Sequence, residues 1–364
     1  MTWSKWIRWI CLAWMIGMSA IMYASPVLAQ AGENTERFGM ILDDAQIESW
    51  LGRESRIRHP VIDGLVSKDE ATLHFYFSRA YGQRAEGVIA TSEKAREKTL
   101  RFLPEETVAG ITVYLLPDIN DYFIALGSQG RAPEWSAGLT ILRDGVILIR
   151  LAPRGTARVE AEMTLAHELN HAALRRYVGE NDVPHWFYEG LAMTATDDWN
   201  LQRAEVLSTA SMGGRLLDLA GMDEAFGKTG TLVDLAYAQS AHFVSWLAKD
   251  FGDDAVRQLI RETSNGIAFD TAFYHAFGRS PKAAFALWRD HMSRGESLLA
   301  SLFSHAGLFF FISIFAAFAL SVALWRRSHI RRERLAAMNN DLPNSSLPPN
   351  LRNFGPFAKY SSKE

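Results

Sequence analysis

The 364-residue chain has one cysteine, Cys11, which sits inside the first apolar stretch. A lone thiol forms no internal disulfide, so the body of the protein must be held together by its core. A cysteine-type metal site is excluded for the same reason. The preceding "RWIC" also lacks the small residues of a lipobox. Positive charge is scarce over the central region: residues 30–325 carry 28 Lys and Arg against 38 Asp and Glu, a net charge of −10. Such an acidic body argues against binding nucleic acid and against lying flat on anionic lipid. There is no internal repeat.

Two long hydrophobic runs stand out. The first lies in "MTWSKWIRWICLAWMIGMSAIMYASPVLAQ", where Lys5 and Arg8 form a short basic start and Val27-Leu28-Ala29 offers compact residues before Gln30. That layout predicts a secretory signal peptide over residues 1–29, with an uncleaved signal anchor as the alternative. The second run, "AGLFFFISIFAAFALSVALW" from Ala306 to Trp325, contains no charge. At ~1.5 Å rise per residue, about 20 residues cross a ~30 Å hydrocarbon layer, so a single spanning helix is expected there. Arg326, Arg327, Arg331, Arg332 and Arg334 follow at once. Basic residues crowd the cytoplasmic side of a spanning helix, which places the tail 326–364 inside and residues 30–304 outside. Beyond Arg334 the tail, with "NNDLPNSSLPPN", is polar, proline-rich and expected to be disordered.

Between these runs the first half reads as strands. "TLHFYFS" from Thr72 alternates, "RAEGVIATSEKAREKTLRFLP" reads as one amphipathic helix, and "GITVYLLP" as a second strand. "DINDYFIALG" suggests one or two helical turns, and "AGLTILRDGVILIRLAP" two strands around Asp144-Gly145, a hairpin signal. After Pro153 the periodicity turns helical. "TARVEAEMTLAHELNHAALRRYVG" runs from an N-cap at Thr156 to a C-cap at Gly179, and "PHWFYEGLAMTAT" starts with a proline in the first turn. Four further helices are expected in "LVDLAYAQSAHFVSWLAKDFG", "DAVRQLIRETSN", "FDTAFYHAFG" and "SPKAAFALWRDHMSR". The class is α+β: a sheet lobe over about 72–179 followed by a helical lobe over about 183–295.

Chemistry concentrates in "HELNH". Side chains four apart on a helix share one face, so His167 and His171 can present two imidazoles to one zinc ion. Glu168 sits about 100° further round, where a carboxylate can take a proton without ligating the metal. A catalytic zinc needs a third protein ligand and an open position. Glu189 stands 18 residues after His171 on the next helix, among the apolar neighbours "HWFY" and "LAM". Gly190 and Ala192 are small enough to let the two helices approach closely. Charged residues along the motif helix (Arg158, Glu160, Glu162, Arg175 and Arg176) keep it out of a bilayer and exclude an intramembrane protease.

"HELNH" followed by "WFYEGLA" resembles the gluzincin metallopeptidases, specifically the bacterial peptidase clan MA-like domain proteins, loosely from Thr72 to Met292. The resemblance implies zinc on His167, His171 and Glu189, Glu168 as general base, and hydrolysis of peptide bonds by zinc-activated water. It implies a zincin-like fold in which the strand nearest the motif, here "GVILIRLA", lines the substrate cleft. It also implies a bacterial source, so that the side assigned to residues 30–304 would be the periplasm. An oxyanion donor from a later helix would be Tyr237 or His242, with Tyr237 preferred; His185, His275 and His291 read as ordinary histidines. Thermolysin-like members carry an aspartate four residues past the third ligand. Met193 stands there instead, leaving Asp197 and Asp198 as candidates to support a zinc histidine. The rival readings are a non-catalytic zincin-fold scaffold of the cell envelope and a zinc amidase acting on cell-wall peptides. The partners expected are a peptide or protein substrate and the membrane.

Overall fold

The computed structural model describes residues 41–42, 49–50, 60, 62–128, 130–132, 136–142, 145–151, 158–226, 228, 230–292 and 305–340. The expected signal peptide, the N-cap at Thr156 and the tail beyond Asn340 lie outside the described residues. The chain divides into two compact units, Met1–Ser301 and Leu302–Glu364.

The first unit is mixed α+β. Its six strands are β1 (Ile41–Leu42), β2 (Leu65–Glu70), β3 (Leu73–Ser78), β4 (Thr112–Leu116), β5 (Gly138–Ile141) and β6 (Val146–Arg150), arranged in the order β1-β5-β6-β4-β3-β2. β4 runs parallel to both β3 and β6, whereas β5 and β6 form the expected antiparallel hairpin, pairing Ile141 with Val146 and Gly138 with Ile149. The sheet buries both faces, which explains the unbroken apolar runs of β4 and β6. Val113, Leu115, Ile147 and Ile149 face the main helical core. Tyr114, Leu116, Leu139, Ile141 and Leu148 face a second core with Tyr122 and Phe123. β2 is absent from the sequence reading because "LVSKDE" is an edge strand with little to bury. It joins β3 through Ala71 and Thr72, both at positive φ (48° and 68°), a two-residue turn without the usual Asn-Gly signal.

Helices α1 (Gly82–Ile89) and α2 (Ser92–Thr99) replace the single helix expected over this stretch. Thr91 Oγ1 donates to the carbonyl of Val88 and Ser92 Oγ to that of Ile89, each at 2.6 Å. Two adjacent hydroxyls thus compete for the helix's own acceptors and break it. A short helix α3 (Asn120–Ala125) opens on Asp118, whose carboxylate accepts from the amide of Asn120. Then come α4 (Arg158–Val178), closed by Gly179 at φ 64°, and α5 (His185–Thr196), preceded by Pro184 at the cap rather than inside the first turn. Two helices without an expected counterpart follow, α6 (Leu201–Met212) and α7 (Leu219–Phe226). The remainder are the expected α8 (Thr231–Phe251), α9 (Asp253–Ser264), α10 (Phe269–Phe277) and α11 (Pro281–His291).

The motif helix α4 lies against β5, β6, α2 and α5, and α5 packs most extensively on α8. Trp186 of α5 meets Phe243 of α8 at 5.3 Å between ring centroids, and Phe243 in turn meets Phe285 and Trp288 of α11. Burial of each such aromatic contributes roughly 1.5–3 kcal/mol. Gly190 serves a contact other than the one expected. Its missing side chain admits α8 rather than the motif helix: a Cβ there would lie 2.5 Å from the carbonyl oxygen of Ser240 and 2.5 Å from Val244 Cγ2.

In the second unit, α12 (His305–Asn340) covers the whole apolar run but continues 15 residues beyond it. Its side chains are described from Ile312 to Ala337 and all are exposed. Among the described residues, no helix is long and apolar enough to cross a membrane. That finding does not supply the spanning helix expected over Ala306–Trp325.

The contact at Gly190 makes a stability prediction. Gly190→Ala should lower the free energy of urea unfolding by about 1–3 kcal/mol, the usual cost of overpacking, because backbone has to move. An unchanged unfolding midpoint would show that α5 and α8 are not locked together at this point.

Candidate metal centre

One face of α4 and one face of α5 meet in the buried interior. His167 is 2% exposed, while Glu168, His171 and Glu189 are fully buried. The two imidazoles, one turn apart, stand edge to face with their Nε2 atoms 2.9 Å apart. Glu189 Oε2 points between them, 3.3 Å from His167 Nε2 and 3.6 Å from His171 Nε2. Donor atoms of these three residues gather within 4.8 Å of one another.

A tetrahedral ion with ligands at about 2.0–2.1 Å holds them about 3.3 Å apart. The three observed separations, 2.9, 3.3 and 3.6 Å, bracket that spacing. Neither carboxylate oxygen of Glu189 has a hydrogen-bond partner among the described residues. A buried carboxylate without hydrogen bonds is costly unless a cation shares its site. The residues therefore fit a metal ion, which His167, His171 and Glu189 would hold.

Electrostatics follow from burial and from the crowding of these groups. Burial pushes the Glu168 carboxyl up to about 8, against the opposing pull of His167 and of a hydrogen bond from Thr140. Burial would also raise Glu189, but His171, His167 and His185 outweigh it and hold that carboxyl well below the ordinary range. Burial brings His171 down to about 4 despite Glu189. For His167 burial again acts downward, yet Glu189 overrides it and the group ends above its ordinary value.

Glu168 is gripped from the sheet. Thr140 Oγ1 of β5 donates to Glu168 Oε2 at 2.5 Å and also approaches the Glu168 carbonyl at 3.2 Å. Two residues back, Gly138 faces the same way: a Cβ there would come within 2.6 Å of Thr164 Cγ2 and 2.8 Å of Glu168 Oε1. The strand touching Glu168 is therefore β5. The cleft strand expected from sequence, "GVILIRLA", forms β6, an inner strand between β5 and β4. Gly138 and Thr140 escaped the sequence reading because nothing local marks which strand face meets a helix.

Asp197 and Asp198 separate cleanly. Asp197 adopts the left-handed conformation that ends α5, the amide of Asp198 reaching back to the carbonyl of Met193 at 2.9 Å. The turn leaves the Asp197 side chain exposed and carries Asp198 inward, 4% exposed, onto Arg203 Nη1 at 2.8 Å. Burial raises the Asp198 carboxyl, opposed by Arg203 and by its attraction to His167. The Met193 side chain is also buried.

Of the later candidates, Tyr237 of α8 sets its ring against Phe226 at 5.1 Å and interacts electrostatically with Arg203. His242 is placed differently: its Nδ1 accepts from Trp288 Nε1 at 2.9 Å and its ring meets Trp199 at 5.3 Å. His185, read from sequence as ordinary, instead brings its Nε2 to 3.5 Å from Glu189 Oε1. The signal was present in the four-residue spacing from His185 to Glu189, the same spacing that joins the motif histidines.

The grip on Glu168 can be tested without any assay of function. Thr140→Val leaves a buried oxygen of Glu168 without its donor and should cost about 1–3 kcal/mol in urea unfolding, whereas Thr140→Ser should restore most of it. Equal stability of the valine variant would remove Thr140 from the site.

A search of curated proteins finds no match to this chain. The description of the Peptidase MA superfamily, by contrast, matches residues 109–294. That span takes in β4 to α11 and every residue of the buried cluster, from Thr140 to Glu189. It covers just over half of the 364 residues, and the chain belongs to the peptidase MA superfamily.

Proposed function

We propose that this chain is a zinc-dependent metallopeptidase of gluzincin type, with His167, His171 and Glu189 holding the metal. The supporting observation is the buried triad itself, three donors at tetrahedral spacing with an ionised carboxylate among them. Bound zinc would polarise a substrate carbonyl and make water acidic near neutral pH. Glu168 acts as the general base. Thr140 holds its Oε2, and its Oε1, which has no hydrogen-bond partner among the described residues, is the atom that accepts the proton from the attacking water. Having taken that proton, Glu168 is the group placed to pass it to the leaving amine. Tyr237 is assigned to the developing oxyanion. Its position between Phe226, which stacks on His185, and Arg203, which binds Asp198, supports that role. His242 is already engaged by Trp288.

The purified chain should hold about one zinc ion, and His167→Ala or His171→Ala should strip most of it. Glu168→Gln should keep zinc and fold while cleavage of a broad peptide library falls by roughly 10² or more. Tyr237→Phe should lower kcat by about 10²–10³ with KM little changed. Full zinc retention in both histidine variants would sink the metal assignment. A zinc-loaded chain that cuts no peptide would favour a binding scaffold.

We further propose that the catalytic unit is attached to the outer face of a bacterial cell membrane through the uncharged run Ala306–Trp325. The five arginines that follow support a cytoplasmic C-terminus. The full chain should remain in the membrane fraction after an alkaline carbonate wash and leave it only with detergent. Release by carbonate alone would contradict this anchoring.

A further inference from the structure

His185 and Glu189 lie one turn apart on α5, so both side chains leave the helix toward the metal cluster. The two oxygens of Glu189 are thereby divided. Oε2 faces the imidazoles of His167 and His171, while Oε1 faces His185 Nε2 at 3.5 Å. The His185 ring is fixed from its other side: it stacks on Phe226 of α7, centroids 4.4 Å apart and planes 22° from parallel. The start of the helix is pinned as well, since the amide of Trp186 donates to Asp223 Oδ1 at 2.8 Å. His185 is also the partly open member of the group, with 36% of its side chain exposed against none for Glu189. The Glu189 carboxylate is thus approached by three imidazoles from two directions.

We propose that His185 is a positioning residue: its Nε2–H, 3.5 Å from Oε1 of Glu189, would close on that oxygen when a metal binds, so that the carboxylate offers the metal Oε2 alone. The inference rests on the metal reading of the buried triad and deepens it. A carboxylate free to swing can chelate through both oxygens and fill the position that substrate or water needs. One held by a donor on its distal oxygen keeps a single-oxygen contact and a fixed plane. Outer partners of this kind orient a metal ligand, and their loss typically weakens metal binding or activity about 10–100-fold. The ring stack on Phe226 sets the imidazole plane, and the four-residue spacing sets its reach. No residue of the HExxH motif takes part in the hold.

Two substitutions separate the donor from the ring. His185→Phe keeps the stack on Phe226 and deletes the hydrogen-bond donor. His185→Gln loses the stack and keeps a donor close to where Nε2 stood. Zinc affinity of the full chain is measured by competition with a chromophoric chelator, and the visible spectrum of the cobalt(II) form reports coordination number. His185→Phe should bind zinc about 10–100-fold more weakly, with His185→Gln near the parent. The cobalt spectrum of the phenylalanine variant should weaken in intensity, as expected when a second carboxylate oxygen joins the ion. Parent-like affinity and spectrum in His185→Phe would overturn the proposal. So would equal losses in both variants, which would assign His185 to packing. A parent chain that binds no zinc at all would instead sink the metal reading itself, and those outcomes are distinct. Thermal unfolding of the metal-free variants monitors the fold; should His185→Phe fail to fold, His185→Leu supplies a donor-free variant judged by the same criteria.

Discussion

A single buried carboxylate organises this molecule. Glu189 is fully enclosed, lacks a hydrogen-bond partner among the described residues, and yet is held well below the ordinary carboxylate range by the histidines around it. Such a group is tolerable only if hydrogen-bond donors or a cation converge on it, and α4 and α5 must meet in one register for that to happen. The imidazoles of His167 and His171 supply one side of that convergence and His185 the other.

The helix that carries Glu189 is secured along its whole length, as a site built on this interaction requires. At its start the Asp223 carboxylate accepts from the Trp186 amide. At its end Lys98 and Arg101 donate to the carbonyls of Thr196 and Thr194, and Arg101 also grips Asp253 with two hydrogen bonds of 2.9 and 3.1 Å. An anion at the N-terminus and cations at the C-terminus both complement the helix dipole. In the middle, Gly190 lets α8 come into backbone contact. The sheet treats α4 in a similar way: Gly138 makes room for Glu168, and Thr140 binds it. The sheet and the helices therefore converge on adjoining parts of one site.

The four residues proposed for the metal and the base were legible in the chain because local spacing encodes them. Two histidines four apart share a helix face whatever the tertiary fold, and a glutamate on the next helix needed only a short connection. The hairpin of β5 and β6 and most of the long helices were legible for the same reason, their periodicity being a local property. Less survived where two local signals competed, as at Thr91-Ser92, or where no burial reinforced a strand, as in β2.

Sequence by itself determined the candidate ligand types, their spacing, the α+β class and the absence of any disulfide support. Tertiary structure alone decided which strand reaches Glu168, which helix fills the gap at Gly190, and whether Asp197 or Asp198 turns inward. It also decided that His185, not His242, stands beside Glu189. Each of these outcomes depends on contacts between segments distant in sequence or on a single backbone turn. A residue's identity states what it can bond, but only the packed interior brings its partner within reach.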